Sequence, residues 1–426
     1  MKSLTDEKAR IFILQDGYGA RIDSWIGLLD SGYLRLWNGC EVKKMDLSEL
    51  IMNIQQLAPQ LASTCCIING AFMTLEDVEK MGYDEFSYRS KINMPLKLYK
   101  YFPNKENIDK DGSKINYSLL ALRNNTVYMQ SPSLFDDVYD SEINIDYFEY
   151  HKYRLIEYCR RCGLSVDSGK TTEDIGTELL KVILESVERN KDFKHIFTVA
   201  PTSEMESLSN EIFINKIMIG LSENQDIGQV VSKIISEEYH EYMEELRNSF
   251  RISCFATTPY SQLMWGGVYA DCHNGFCLEY TVLPNDEKYK DLFYNLFPMV
   301  YCKTRPNITK ELVEWKDRNK TKEYLWDIYF HGALRKSIDW AFQNEWRLLL
   351  PLSEKNGDNC NVEFFPITRV YLGNRMQSEK RKEIIDFCNN KGIPYIGVQR
   401  NPNIYEMQEC SLKCEDCVNF KDSGKK

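Results

Sequence analysis

Apolar and polar positions alternate along residues 337–351, SIDWAFQNEWRLLLP, and the alternation predicts a strand. Successive strand side chains point to opposite faces, so Phe342, Asn344, Trp346 and Leu348 share one side and Gln343, Glu345 and Arg347 the other. A row of amide, carboxylate and guanidinium among Trp, Phe and Leu can be structural, as a solvated edge or a Glu345–Arg347 pair that satisfies itself. It can also be chemical.

The same pattern divides the chain. Residues 1–92 read as a small α/β module: ARIFILQ is a strand run, Ile22, Trp25, Ile26 and Leu29 follow at helical spacing, and Leu47, Leu50, Ile51, Ile54 and Leu57 predict a second helix before the buried strand STCCIING. Between the first strand and helix, DGYGARI has two glycines of a dinucleotide loop but Ile22 in place of the third, which favours an ordinary turn. From residue 96 the strand texture becomes aromatic (LKLYKYFPN, TVYMQSPSLFDDVYD), then gives way to a helical region over 147–250. There Ile175, Leu179, Val182, Ile183 and Val187 form an apolar stripe of the kind that packs a core. Strands return in RISCFAT, GFCLEYTV, FPMVYCK, EWRLLLP and ITRVYLG, followed by the helix SEKRKEIIDFCNN and PYIGVQ.

At 426 residues the chain exceeds one hydrophobic core, and its 43% hydrophobic residues suffice to fill two. Its 63 acidic against 53 basic residues, a net charge of -10, do not suggest a protein that coats nucleic acid by bulk charge, and leave room for a local basic groove. Neither a secretory apolar region nor a run of membrane-spanning length is present, so the fourteen cysteines read as reduced thiols of a cytoplasmic protein.

Five ordered segments carry a resemblance: LYKYF (98–102), MQSPSLFDDVYDS (129–141), ISCFATTPYSQLMWGGVYADCHNGFCLEY (252–280), FQNEWRLLL (342–350) and ITRVYLGNRMQSEK (367–380). Together they resemble the bacterial DUF2971 family over residues 96–395. The chain departs from that family at Phe102, where an Arg is usual, at FDDVYD, and at WGGVYA, which lacks the usual His. The order LYK (98–100) then QNE (343–345) is more distantly similar to mono-ADP-ribosyltransferases of the DarT-like type.

That similarity implies an α+β fold: a split, curved β-sheet of ADP-ribosyltransferase-like type with a helical insertion, preceded by the small α/β domain. It implies NAD as substrate, transfer of ADP-ribose to a macromolecular acceptor, protein or nucleic acid, and a role as a bacterial toxin or anti-phage defence effector. Glu345 would be the catalytic carboxylate, stabilising positive charge on the ribose as nicotinamide leaves, and Gln343 would help choose the acceptor. Tyr99, Lys100, Tyr101 and Arg347 would contact NAD, Trp265 or Tyr269 would stack on nicotinamide, and His273 would line the pocket. Residues 1–92 would then bind a trigger or regulator. The alternative is a non-catalytic protein that binds a nucleotide or a phage component, with Glu345 capped by Arg347 rather than open in a cleft beside Lys100.

Three further clusters invite chemistry. Asp271, Cys272, His273 and Cys277 read more economically as a tight turn between strands at Asn274–Gly275. Glu237 and His240 lack the second pair a di-iron site requires and read as a solvated helix face. In the tail, residues 396–426, Cys410, Cys414 and Cys417 supply three of the four ligands of a structural zinc, with Cys388, Cys360 or a His to complete it, or remain reduced thiols.

Overall fold

A computed structural model describes residues 5–6, 9–13, 26–30, 33–37 and 42–46, then 65–109, 111–188, 195–305, 307–310, 328–351 and 360–411. The fold is mixed α+β. It divides into a unit made of Met1–Ser141, Phe250–Thr304 and Ala333–Lys426, and a second made of Glu142–Ser249 and Arg305–Gly332.

The first five strands, Thr5–Asp6, Ala9–Ile13, Ile26–Asp30, Tyr33–Trp37 and Val42–Asp46, form an antiparallel meander in sequence order. This corrects the helical reading of Ile26 and Leu29, which lie on the third strand. Asp30 pairs with Tyr33 on the next antiparallel strand, and over so short a run an apolar spacing fits a strand as well as a helix. DGYGARI and the helix expected over residues 47–57 lie outside the described residues.

The strand Cys65–Ile68, assigned from sequence to the first module, pairs with Val300–Cys302 in a four-stranded sheet completed by Ala71–Thr74 and Arg335–Ser337. A five-stranded sheet runs Met407–Glu409, Tyr395–Arg400, Ile367–Leu372, Phe276–Thr281, Lys97–Phe102, and a three-stranded sheet runs Phe250–Phe255, Trp346–Pro351, Leu296–Pro298. The bridge Tyr99–Ala256 joins these two, and Gln130–Ile252 attaches a further pair, Thr126–Met129 with Cys360–Glu363. The result is a curled, half-barrel-like run of sheet.

Strand alternation then decides which side chains meet. On Lys97–Phe102, Leu98 and Phe102 join Leu278, Tyr280, Phe255, Trp346, Leu348 and Phe364 in the main core, where Phe255 and Phe364 stack at 4.4 Å. Tyr99 and Tyr101 face the other way, into a second cluster with Trp265, Cys277, Tyr371 and Ile396.

The helical unit holds Tyr147–Arg161, Thr172–Glu188, Glu204–Ser222 and Ile227–Asn248. Asp146, Ser203 and Asp226 cap three of them by accepting from the backbone N–H three positions on. Ile175, Leu179 and Ile183 are fully buried, as a helical stripe requires, and Tyr158 meets Phe213 at 4.2 Å. Glu237 pairs with Lys216 at 2.7 Å and His240 is exposed.

Candidate functional site

The row Gln343, Glu345, Arg347 is not one strand face. Residues Ile338–Gln343 form a 3-10 turn, Asn344 ends it in the left-handed region at φ 41°, and the strand begins at Trp346. The three side chains nevertheless converge, through a residue the sequence reading missed. The Lys336 ammonium donates to Gln343 Oε1 at 2.9 Å and to Glu345 Oε2 at 3.2 Å, and lies 3.0 Å from Asp140 Oδ2. Arg347 donates from Nε to Glu345 Oε1 at 2.6 Å and from Nη2 to Asp140 Oδ2 at 2.8 Å. Glu345, Arg347, Asp140 and Lys336 thus close a ring of alternating charge in which every side chain is at least nine-tenths buried.

Backbone and neighbours fix this ring. Arg347 Nη1 donates to Ser141 Oγ and to the Ala333 carbonyl, both at 2.8 Å, so one guanidinium holds two chain segments distant in sequence. The Glu345 backbone N–H donates to the Tyr301 hydroxyl at 2.8 Å. Cys254 pairs with Arg347 across the strands. On the outer side, Gln343 Nε2 donates to the hydroxyl of Tyr269, whose side chain is partly exposed, and the Lys336 ammonium lies 5.2 Å from the centre of the half-buried Trp340 ring.

Burial alone would raise the Glu345 carboxyl, but Arg347 and then Lys336 overcome it and hold the group down at about 2. Burial, and then Glu345, pushes the Cys254 thiol up to about 12, so it stays neutral. A carboxyl held low in the folded state adds stability that is complete above its ordinary value near 4.5 and is lost as pH falls towards about 2. Unfolding titrated against pH should show that acid limb in the native chain and a flatter one in Glu345→Gln; identical limbs would place the ionised carboxylate elsewhere.

The other residues proposed from sequence fall outside this centre. Lys100 points to the opposite side of its strand from Tyr99 and Tyr101 and donates to Ser253 Oγ at 3.1 Å and the Cys254 carbonyl at 3.0 Å, 5.2 Å from the Phe255 ring. Burial lowers its ammonium, and Glu345 acts on it through space without a bond. Glu345 is therefore capped by Arg347 and closed off, not open in a cleft beside Lys100. The Tyr99 phenol is committed to Glu279 at 3.3 Å, in a second buried polar cluster where Glu279 also accepts from Lys97, Tyr371 and Thr368. Tyr101 donates to the Thr258 carbonyl at 2.8 Å. Trp265 is fully buried, with its N–H on the Pro259 carbonyl at 2.7 Å, which leaves Tyr269 as the aromatic of that pair at the centre.

His273 stacks on Trp265 with its Nδ1 buried and unpartnered. It ends a left-handed turn, Asp271 φ 48°, Cys272 φ 51°, His273 φ 71°, that follows the 3-10 turn Val268–Ala270. The expected turn is present, but it does not join two strands. Cys410 is buried beside the Gly397 carbonyl, Cys414 and Cys417 lie outside the described residues, and among the described residues no three His, Cys, Asp or Glu side chains gather as metal ligands. Among them, too, no helix is long and apolar enough to cross a membrane.

The missed residues left traces. Asp140 and Ser141 end the motif MQSPSLFDDVYDS, and Lys336 immediately precedes SIDWAFQNEWRLLLP; what sequence cannot supply is that these two stretches meet. The family model described as a protein of unknown function, DUF2971, matches residues 264–348, a span that holds Tyr269, Lys336, Gln343, Glu345 and Arg347 and lies within the resemblance read from sequence. No curated protein and no solved structure matches the chain significantly.

Proposed function

We propose that the Glu345 centre of this DUF2971 segment binds a nucleotide at its partly exposed edge, and that the charge ring behind holds that edge in place. The supporting observation is the unbroken path of hydrogen bonds from the fully buried Arg347 through Glu345, Lys336 and Gln343 to the Tyr269 hydroxyl. Buried ion pairs seldom stabilise a fold more than apolar residues of equal volume, so a ring of four that leads to the surface argues for a use beyond stability. The partly exposed Tyr269 offers a ring on which a base can stack.

Glu345 itself has both oxygens engaged and is 5% exposed, which favours binding over chemistry in this conformation. NAD-dependent mono-ADP-ribosyl transfer is the second reading, in a toxin or defence effector of ADP-ribosyltransferase-like fold. It is favoured by an ionised Glu345 sharing one network with Gln343. In that reaction the bond from nicotinamide nitrogen to ribose C1′ breaks, nicotinamide leaves with the bonding pair, and the acceptor's nucleophile joins C1′ as it gives up its proton. Gln343 and Tyr269 would have to swing aside to admit the ribose.

Calorimetry with NAD and ADP-ribose, run beside an assay for nicotinamide release, separates the two for the native chain, Tyr269→Ala and Glu345→Gln. We expect binding that Tyr269→Ala weakens about tenfold or more, without release. Release that Glu345→Gln abolishes would establish the transferase instead, and neither binding nor release would sink both.

A further inference from the structure

Resting on the binding reading, we infer that the mouth of this site is built to meet a hydrogen-bond acceptor, a carbonyl or phosphoryl oxygen, and that Lys336 is the residue that sets this polarity. An ammonium has three hydrogens and no acceptor. Those of Lys336 face Asp140 Oδ2, Glu345 Oε2 and Gln343 Oε1. The Gln343 atom turned towards the ammonium must therefore be its oxygen, because the amide nitrogen there would set donor against donor.

This fixes the other end of the amide. Gln343 Nε2 is turned towards Tyr269 and donates to the phenol oxygen at 2.9 Å. With that contact filled by a donor, the phenol keeps its own hydrogen, and no described residue accepts it. Tyr269, at 37%, is the most exposed member of this network, so its hydroxyl hydrogen is the donor offered to a ligand. An incoming oxygen acceptor completes the chain that starts at Lys336 and runs through Gln343 and Tyr269, each link donating in the same direction. An ammonium at the same place has no acceptor to offer that hydrogen. Lys336 is thus a positioning residue, acting through the Gln343 amide.

Gln343→Glu reverses the polarity with nearly constant shape: one carboxylate oxygen still accepts from Lys336, and the other faces Tyr269 and draws the phenol hydrogen inward. Two readouts follow. Without any ligand, the Tyr269 phenol, followed by NMR of ring-labelled tyrosine and assigned with Tyr269→Phe, should titrate at least about tenfold higher in proton affinity in Gln343→Glu than in the native chain. An unchanged titration overturns the inference.

With ligand, the native chain and variants are compared on NAD, nicotinamide and ADP-ribose. A loss of about tenfold for nicotinamide identifies a carbonyl as the group met, and the same loss for ADP-ribose a phosphoryl oxygen. Native-like affinity of Gln343→Glu for every probe that binds overturns the inference while leaving the binding reading intact. If the native chain binds none of them, the binding reading fails, and the ligand-free titration still decides the polarity. Should Gln343→Glu not fold, Tyr269→Phe keeps the ring, removes the hydrogen, and must show the same loss for the same probe.

Discussion

Arg347→Met is expected to lower the stability of the sheet-bearing unit by about 3–5 kcal/mol, read from urea unfolding of the full chain. Methionine fills much of the same space, so the loss is electrostatic rather than a cavity. It leaves Glu345 and Asp140 buried with Lys336 as their remaining cation, and it removes the donors to Ser141 and the Ala333 carbonyl. Adding Asp140→Asn to Arg347→Met should recover part of the loss, because it leaves Glu345 and Lys336 as a matched pair, and an uncompensated buried charge costs more than a neutral polar group. A loss below about 1 kcal/mol, the range of exposed pairs, would mean that the ring is open to water.

Gly275→Ala should cost about 3 kcal/mol or more, by steric conflict alone. A Cβ at Gly275 would stand 2.0 Å from the Phe102 carbonyl oxygen and 2.9 Å from that of Ala270, and both are backbone atoms with no flexible end to yield. Gly275 also donates to Ala270 and accepts from Gly373, so it closes the left-handed turn at Asp271–His273 and ties it to the end of the strand Ile367–Leu372. Tyr269 lies just ahead of that turn, so Gly275→Ala should weaken nucleotide binding as well as folding. Gly392→Ala is the control: it also replaces a glycine, at φ 67° with nothing within 4 Å, and should cost only the left-handed penalty of about 1–2 kcal/mol. Equal midpoints for the two variants in thermal unfolding would refute the packing argument.

Much of the curled sheet was legible because its strands alternate or run apolar in short segments, as in Phe276–Thr281 and Ile367–Leu372. The first meander was misread at Ile26 and Leu29, which satisfy a helical period by coincidence and lie on a strand. At the centre, Glu345 with Arg347 was visible as a local pair. Lys336 and Asp140 were not, because a charge that finds its partner only through tertiary approach leaves no periodic mark. Lys100 was misplaced for a reason the sequence did contain: a period of two puts it opposite Tyr99 and Tyr101. The mouth was half legible, since Tyr269 and Gln343 were named, but the direction of the amide depends on the lysine.

The ring also has an order of birth. Asp140 and Arg347 stand 207 residues apart, and every residue of the helical unit is made between them. At roughly 5–20 residues per second on the ribosome, the Asp140 carboxylate waits some tens of seconds for its guanidinium, and the strand Phe250–Phe255 emerges well before Trp346–Pro351 can pair with it. The helices can settle locally during that interval, whereas the strand Phe250–Phe255 keeps an unpaired edge until about four-fifths of the chain has appeared. Cooperative closure of the sheet is therefore a late event of synthesis, and nascent chains stalled before Arg347 should be the ones that chaperones retain.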